Sequence, residues 1–558
     1  RMSLKKRLRD QFWKVVFAIV SRRDSKRPLA KFFPVCDQKN YFYEALNFQG
    51  RDYHTKFFME RMANPMRIDF ANFKSEILPG TFVRGGQKLA LTVTSPSILP
   101  VCLTDSDYAK AKAGNQISIR RNEQEHKLRN LMHDRFYYLR LDKPGAVNVT
   151  ASSDFIVGDP IDLKQIKKTR YKLVLCIFVD SLTWALLKDN SLKETLPNID
   201  KFFSKGTIFD NCYTWGTWTL TSASCIVSGL SIKNHGIFHP NKNDPLGSSY
   251  KIMSEYFQDA GYLTFQSCGN WRKTPAYGYV RGYDRTVFKT EMGIEETIYP
   301  LMDHLRAFPE RSHFAWISLN DAHHAMRLTS EISVQTRLDI ADHDYLEKTA
   351  KKKRDPIISD PPRSARYAEE MKMIDFNLGL LFSYVTDHYT DDEILVSLVS
   401  DHGVNYLTGE AVSLTEGETH TAMMIRGGGV PAARADELVQ NIDLLPSMLH
   451  FSNIAAPASL DGKLPPALGG QDERSFVMTE MIYPGNPYQA SVKSKEFDLQ
   501  FTSEHATGDN GKTDLGNFEF KLFKGGDYSN DVNEEHVDTG KELLNYLLAY
   551  HDKPGLER

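Results

Sequence analysis

The chain of 558 residues is poor in cysteine, has no long apolar run and carries no excess of either charge. Its six cysteines, Cys36, Cys102, Cys176, Cys212, Cys225 and Cys268, form no CxxC pair and lie mostly in apolar stretches such as VLCIFV and SASCIVSG. That pattern argues against a disulfide framework or a Cys-built zinc site and predicts reduced, buried thiols in a cytoplasmic protein. No stretch reaches 18 consecutive apolar residues, so a membrane-spanning helix is not expected. Lys plus Arg is 69 against 71 Asp plus Glu, a net charge of −2, which leaves no general basic surface for nucleic acid. With 41% apolar and 25% charged residues, the chain is neither collagenous nor low-complexity nor disordered. Its length suits about two to four domains.

Residues 1–35 form a basic arm. Eleven Lys or Arg in the first 31 residues face only Asp10 and Asp24, around the apolar stretch Phe12 to Val20. Lys14 interrupts that stretch and no small-residue cleavage site follows, so a secretory signal fits poorly. A helix bearing Leu8, Phe12, Trp13, Val16, Phe17 and Val20 would suit the anionic inner leaflet of a membrane; a solvated arm, or a helix packed on protein, is the alternative.

Residues 36–165 read as a β-rich accessory domain, a small β-sandwich. KLALTVT (88–94), RFYYLRL (135–141) and AVNVTAS (146–152) are alternating or β-branched, with turns at LPGTFVRGGQ and DKPGA. From 166 to 480 the texture changes. KLVLCIFVD (172–180), YLTFQS (262–267), HFAWISL (313–319), EILVSLVS (393–400) and TAMMIR (421–426) are apolar runs separated by helix-like segments. This predicts an α/β fold, a mostly parallel sheet with helices on both faces. The charged, Pro-rich stretch 345–365 reads as an exposed loop. Residues 481–558, with EFDLQFTSE, FEFKLFKGG and a closing helix, read as a C-terminal subdomain annexed to the catalytic sheet.

Three of the buried runs end in acids: Asp180, Asp321, and Asp401 with His402. Ligands of an open parallel sheet bind beyond the carboxyl ends of its strands, so these acids converge on one rim. Carboxylates that close repel one another unless a cation neutralises them, which points to a metal site. His323, His324, His402 and His420 are near these acids in sequence, and mixed His/Asp ligation favours Zn²⁺ or Mn²⁺ over Ca²⁺. Between them lies GTWTLTSASCIVSG (216–229), a Ser/Thr-rich helix entry. A hydroxyl there is a candidate nucleophile; Thr219 and Thr221 are alternatively simple N-caps.

In their joint order FVDSL, the nucleophile segment, GY-x-T, RGYD, the DAHH segment, SDHG and a late His before a strand resemble the alkaline phosphatase/sulfatase superfamily, over roughly residues 170–470. LPNIDKFFSKGTIFDNCYT and IDLLPSMLHFSNI with LDGK extend the resemblance. The sulfatase nucleophile motif Cys-x-Pro-Ser-Arg falls on Thr219, Leu220, Thr221, Ser222 and Ala223, so the modifiable Cys and the Arg are both missing. The resemblance implies a Thr nucleophile, Thr219, as in phosphodiesterases and phospho-group transferases of the superfamily. It implies a metal held by Asp180, Thr219, Asp401 and His402, and a second by Asp321, His324 and His420, giving one or two divalent ions per chain. It further implies His323 as proton donor or substrate contact, or the same two roles with His323 and His324 exchanged. Asn270, in SCGNW, replaces the sulfatase Lys and takes its substrate-binding position.

The function so implied is a metal-dependent phosphoester hydrolase or phospho-group transferase acting on a phosphorylated glycan or a lipid-linked glycan. The setting expected is cytoplasmic, peripheral on the inner membrane surface. The alternatives are sulfate-ester hydrolysis without formylglycine, or a catalytically silent glycan- or membrane-binding protein.

Overall fold

The computed structural model describes residues 42–57, 59–61, 68–70, 74–104, 116–121, 124–131, 135–184, 187, 191–239, 246–273, 275–289, 292–324, 361–407 and 413–552. The basic arm, Cys36 and the charged stretch through residue 360 lie outside these residues. The expected loop to 365 ends earlier, because a helix, Pro361–His388, starts on the proline pair. Proline is tolerated in a first helical turn, where its missing N–H costs no bond. Among the described residues no helix is long and apolar enough to cross a membrane.

A central sheet organises the chain. Part of its order is Arg285–Phe288, Leu263–Cys268, His313–Leu319, Leu173–Val179, Ile394–Ser400, His420–Gly427, Thr207–Tyr213 and Ala433–Gln440. The first five of these are parallel. His420–Gly427 alone among the eight runs antiparallel to both neighbours. Every residue of Leu173–Val179 is buried, as a strand covered on both faces requires. Leu173, Leu175, Ile177 and Val179 face one apolar layer, with Phe203, Leu301 and Leu378 from three helices. Val174, Cys176 and Phe178 face the other, with Ile226, Phe257 and Leu445. The two-residue period of a strand thus feeds both layers from one run.

The β-sandwich forms, but it is not detached. Ser75–Val83 pairs antiparallel with Arg285–Phe288, so one sandwich sheet prolongs the central sheet. The other sheet, of Lys88–Val93, Gly145–Ala151, Gln116–Arg121 and Gln124–Arg129, packs across a core of Leu99, Val101, Ile117, Val149 and Phe155. Pairing of this kind removes an otherwise open sheet edge.

The C-terminal strands do not join the central sheet as expected. Val477–Met481, Pro487–Lys493, Phe497–Ala506 and Phe518–Lys524 make a four-stranded antiparallel sheet of their own, which starts before residue 481. Leu499, Phe501 and Leu522 share a core with Leu543 and Leu547 of the helix Val537–Asp552 and with Trp215, Cys225 and Ile442 of the preceding unit, so this sheet is joined to the rest by packing and not as a continuation of the central sheet. It touches the rest of the chain where Glu480 N donates to Trp215 O at 2.8 Å, beside the candidate nucleophile segment.

Candidate active site

Asp180 and Asp401 follow neighbouring parallel strands whose last residues, Val179 and Ser400, are paired. That register brings the two carboxylates together, both fully buried. Asp180, Asp401 and His402 each offer one ligand atom, and these atoms lie within 4.8 Å of one another, the one such cluster among the described residues.

Thr219 opens the helix Thr219–Ser228, with Trp218 as an extended N-cap. Neither threonine is the cap: Thr221 Oγ1 donates to Trp218 O at 2.9 Å, whereas Thr219 Oγ1 donates to Asp180 Oδ2 at 3.3 Å and stands 3.4 Å from His402 Nε2. The hydroxyl therefore sits against the acid–imidazole cluster at a helix start, where unpaired N–H groups and the helix dipole favour negative charge. The turn before the helix needs Gly216, because a Cβ there would collide with the Thr221 side chain.

The ligand atoms are oriented by their neighbours. His402 Nδ1 donates to Gly403 O at 2.8 Å, which fixes the tautomer and leaves Nε2 as the acceptor facing the cluster. Asp401 Oδ1 accepts from Ser181 N and His402 N, both at 2.9 Å. Ser181 reaches that place in the left-handed region, at φ 66°, a strained conformation for a non-glycine residue. Asp401 Oδ2 is buried without a hydrogen-bond partner, with His402 Nε2 at 3.5 Å. A buried carboxylate oxygen left in this state is costly unless a cation answers it. The donor set, two carboxylates, an imidazole nitrogen and a hydroxyl, thus fits a divalent metal.

The charges of these buried groups act on one another. Burial pushes the Asp180 carboxyl up, but His323, His402, Lys273 and Arg272 outweigh it and hold the group below its ordinary value. Asp401 is raised, first by burial and then by the charge of Asp180. For His402, burial is outweighed by Asp401 and Asp180, so its pKa is raised.

The other expected residues behave differently. Asn270 Nδ2 donates to Asp180 Oδ2 at 2.6 Å and to Asn320 Oδ1 at 3.3 Å, while its Oδ1 accepts from Arg272 N. These bonds orient Asp180. Of the expected second metal set, Asp321 and His420 are described and belong to no group of three candidate ligands among the described residues. Asp321 Oδ1 accepts from Ile294 N at 3.1 Å, holding the start of the helix Ile294–Ala307. His420 Nε2 meets Asp210 O at 2.7 Å, and its ring stacks on Tyr213 at 4.7 Å. His323 is half-buried and close enough for its charge to act on Asp180; the His324 side chain lies outside the described residues.

Sequence reading missed a buried polar hub. Asn441 Nδ2 donates to Ser222 Oγ (2.8 Å), Thr214 Oγ1 (3.0 Å) and Asp401 O (3.3 Å), and its Oδ1 accepts from Trp215 N at 3.2 Å. It also missed Lys273, buried with Nζ 3.0 Å from Ser318 Oγ and over the Phe178 ring. Asn441 directly precedes the IDLLPS segment already singled out, and Lys273 follows SCGNW by two residues, so proximity to those motifs was the available signal.

The sulfatase family model matches residues 172–454. No curated protein matches the chain in sequence. Among solved structures, the phosphonate monoester hydrolase of Silicibacter pomeroyi is similar at 16% identity and a TM-score of 0.52, covering 68% of this chain and 95% of its own. The phosphonate monoester hydrolase of Agrobacterium radiobacter is similar at 14% identity and a TM-score of 0.50, over 67% of this chain and 94% of its own. BT4656, solved with its substrate D-glucosamine-2-N,6-O-disulfate, is similar at 15% identity and a TM-score of 0.52, over 70% of this chain and all of its own. With the family model covering half of the sequence, and the strand-end cluster in place, the chain belongs to the sulfatase family, within the alkaline phosphatase/sulfatase superfamily.

Proposed function

We propose that the protein is a divalent-metal-dependent phosphoester hydrolase or phospho-group transferase that works through Thr219. The observation that carries this reading is the Thr219 hydroxyl, 3.3 Å from Asp180 and 3.4 Å from His402 at a helix start, where formylglycine-dependent sulfatases need a Cys. Asp180, Asp401, His402 and Thr219 would hold the ion, with Zn²⁺ or Mn²⁺ suiting the donors. When bound, it neutralises the paired carboxylates and lowers the pKa of the nearby hydroxyl.

Thr219 then attacks phosphorus as its alkoxide, in line with the leaving oxygen. The new Oγ–P bond forms as the ester P–O bond breaks. The first turn of the helix Thr219–Ser228 favours the phosphoryl charge, the proton lost by Thr219 passes to water, and His323, when protonated, would give a proton to the departing oxygen. Water releases the group in a hydrolase; a second hydroxyl takes it in a transferase. The similarity to two phosphonate monoester hydrolases supports the phosphorus chemistry. The basic composition of residues 1–31 supports a phosphorylated or lipid-linked glycan handled at an anionic membrane surface.

A second reading, sulfate-ester hydrolysis by unmodified Thr219, is favoured by the likeness to a structure holding a sulfated glucosamine. Turnover of bis(p-nitrophenyl) phosphate, p-nitrophenyl phosphate and p-nitrophenyl sulfate by wild type and Thr219→Ala decides between them. We expect phosphodiester turnover that falls on the order of 10³-fold or more in the variant. Sulfate turnover alone would replace the proposal, and no turnover of any ester would favour a silent binding protein.

A further inference from the structure

The helix that presents Thr219 and the turn that presents Asp401 come from distant parts of the chain, and their relative placement sets the distances at the cluster. Apart from Thr219 itself, the described hydrogen bonds between them run through two side chains. Ser222 Oγ donates to Asp401 O at 2.8 Å, and Asn441 Nδ2 reaches the same carbonyl at 3.3 Å. Asn441 also donates to Ser222 Oγ, and so supports the serine whose single hydrogen points at Asp401. Its other contacts, Thr214 Oγ1 and Trp215 N, hold the segment leading into the helix. Thr214 Oγ1 in turn donates to Gly216 O at 2.8 Å, within the turn before Thr219. All of Asn441, Ser222, Thr214 and Asp401 are fully buried, so water does not substitute for a lost partner.

The geometry points to Asn441 as a positioning residue that keeps the nucleophile helix in register with the metal-ligating Asp401. This rests on the reading of Thr219 as nucleophile and Asp401 as ligand. An amide is suited to the place, since it offers two N–H donors toward hydroxyls and a carbonyl and one acceptor toward the Trp215 N–H. A carboxylate of the same size keeps the acceptor, loses both donors, and sets an oxygen against the Asp401 carbonyl.

The test compares Asn441→Asp with Ser222→Ala, which cuts the same tie from the helix side. Mn²⁺ or Zn²⁺ affinity of the metal-stripped full chain is measured by calorimetry, beside kcat and KM for bis(p-nitrophenyl) phosphate and the thermal midpoint. We expect cooperative unfolding in both variants, metal affinity and kcat each lowered about 10- to 100-fold, and KM within about 2-fold of wild type. The double variant should be little worse than the weaker single one, because both act through one contact. Folded variants with wild-type affinity and kcat would overturn the proposal, as would losses that merely follow the thermal midpoint. Wild type that binds metal but turns over no phosphodiester would sink the phosphoester reading, while the affinity comparison would still decide the role of Asn441.

Discussion

Asp180 and Asp321 follow two hydrogen-bonded neighbouring strands, with Val179 paired to Leu319, yet their carboxylates do different work. Asp180 faces Thr219, Asn270 and Ser181 in the cluster, whereas Asp321 holds the start of a helix through Ile294 N. The histidines divide in the same way. His402 turns Nδ1 to a backbone carbonyl and keeps Nε2 toward Thr219, while His420 turns Nε2 to Asp210 O and stacks on Tyr213. A place on the ligand-binding rim therefore does not make a ligand. What separates them among the described residues is company: Asp180 brings a ligand atom within 4.8 Å of those of Asp401 and His402, and Asp321 and His420 belong to no such group.

The comparison breaks most visibly at the acids. We expect Asp401→Asn to lower kcat/KM for a phosphodiester on the order of 10³-fold, because it removes a ligand beside the nucleophile. Asp321→Asn should cost less than about 10-fold and act mainly through the helix start it holds. Equal losses in the two variants would show that Asp321 also serves the reaction.

The histidines give a smaller effect. His420→Phe keeps a ring against Tyr213 but removes the bond to the Asp210 carbonyl, so a loss of about 1–3 kcal/mol of stability is expected with metal content unchanged. Chemical unfolding and metal analysis of the purified variant check both halves, and metal loss with unchanged stability would reverse the assignment.

The comparison extends to pH. His402 lies between acids that raise its pKa, whereas His304 and His313 are buried without an acid. Burial, with the neighbouring cations, holds His304 well below its ordinary value and brings His313 down to about 4. In the unfolded chain both titrate near 6.5. The unfolded state therefore binds the extra protons first, and stability present above pH ~6.5 is lost as pH falls toward 4. Thermal midpoints across that range should fall, and more gently in His304→Phe; parallel curves would remove these rings as the cause.

Much of this was legible in the sequence, for a physical reason. Strands buried on both faces must be apolar throughout, so KLVLCIFVD and EILVSLVS announced themselves, and the acids at their ends marked the rim. Thr219 stood out because its segment is a Ser/Thr-rich helix entry between those runs. Hydrogen-bond engagement was not legible. Nothing local shows that Asn270 meets Asp180 across 90 residues, or that Asn441 reaches Ser222 across 219. The separate strand pairing of the C-terminal sheet was hidden likewise, since a strand's alternation reveals a buried face and not its partner.

Metal stoichiometry of the purified wild-type chain tests the central claim most directly. One divalent ion per chain, absent from Asp401→Asn and retained in both Asp321→Asn and His420→Phe, is the expected result. Two ions per chain, or one ion that survives the loss of Asp401 and leaves with Asp321 or His420, would contradict it.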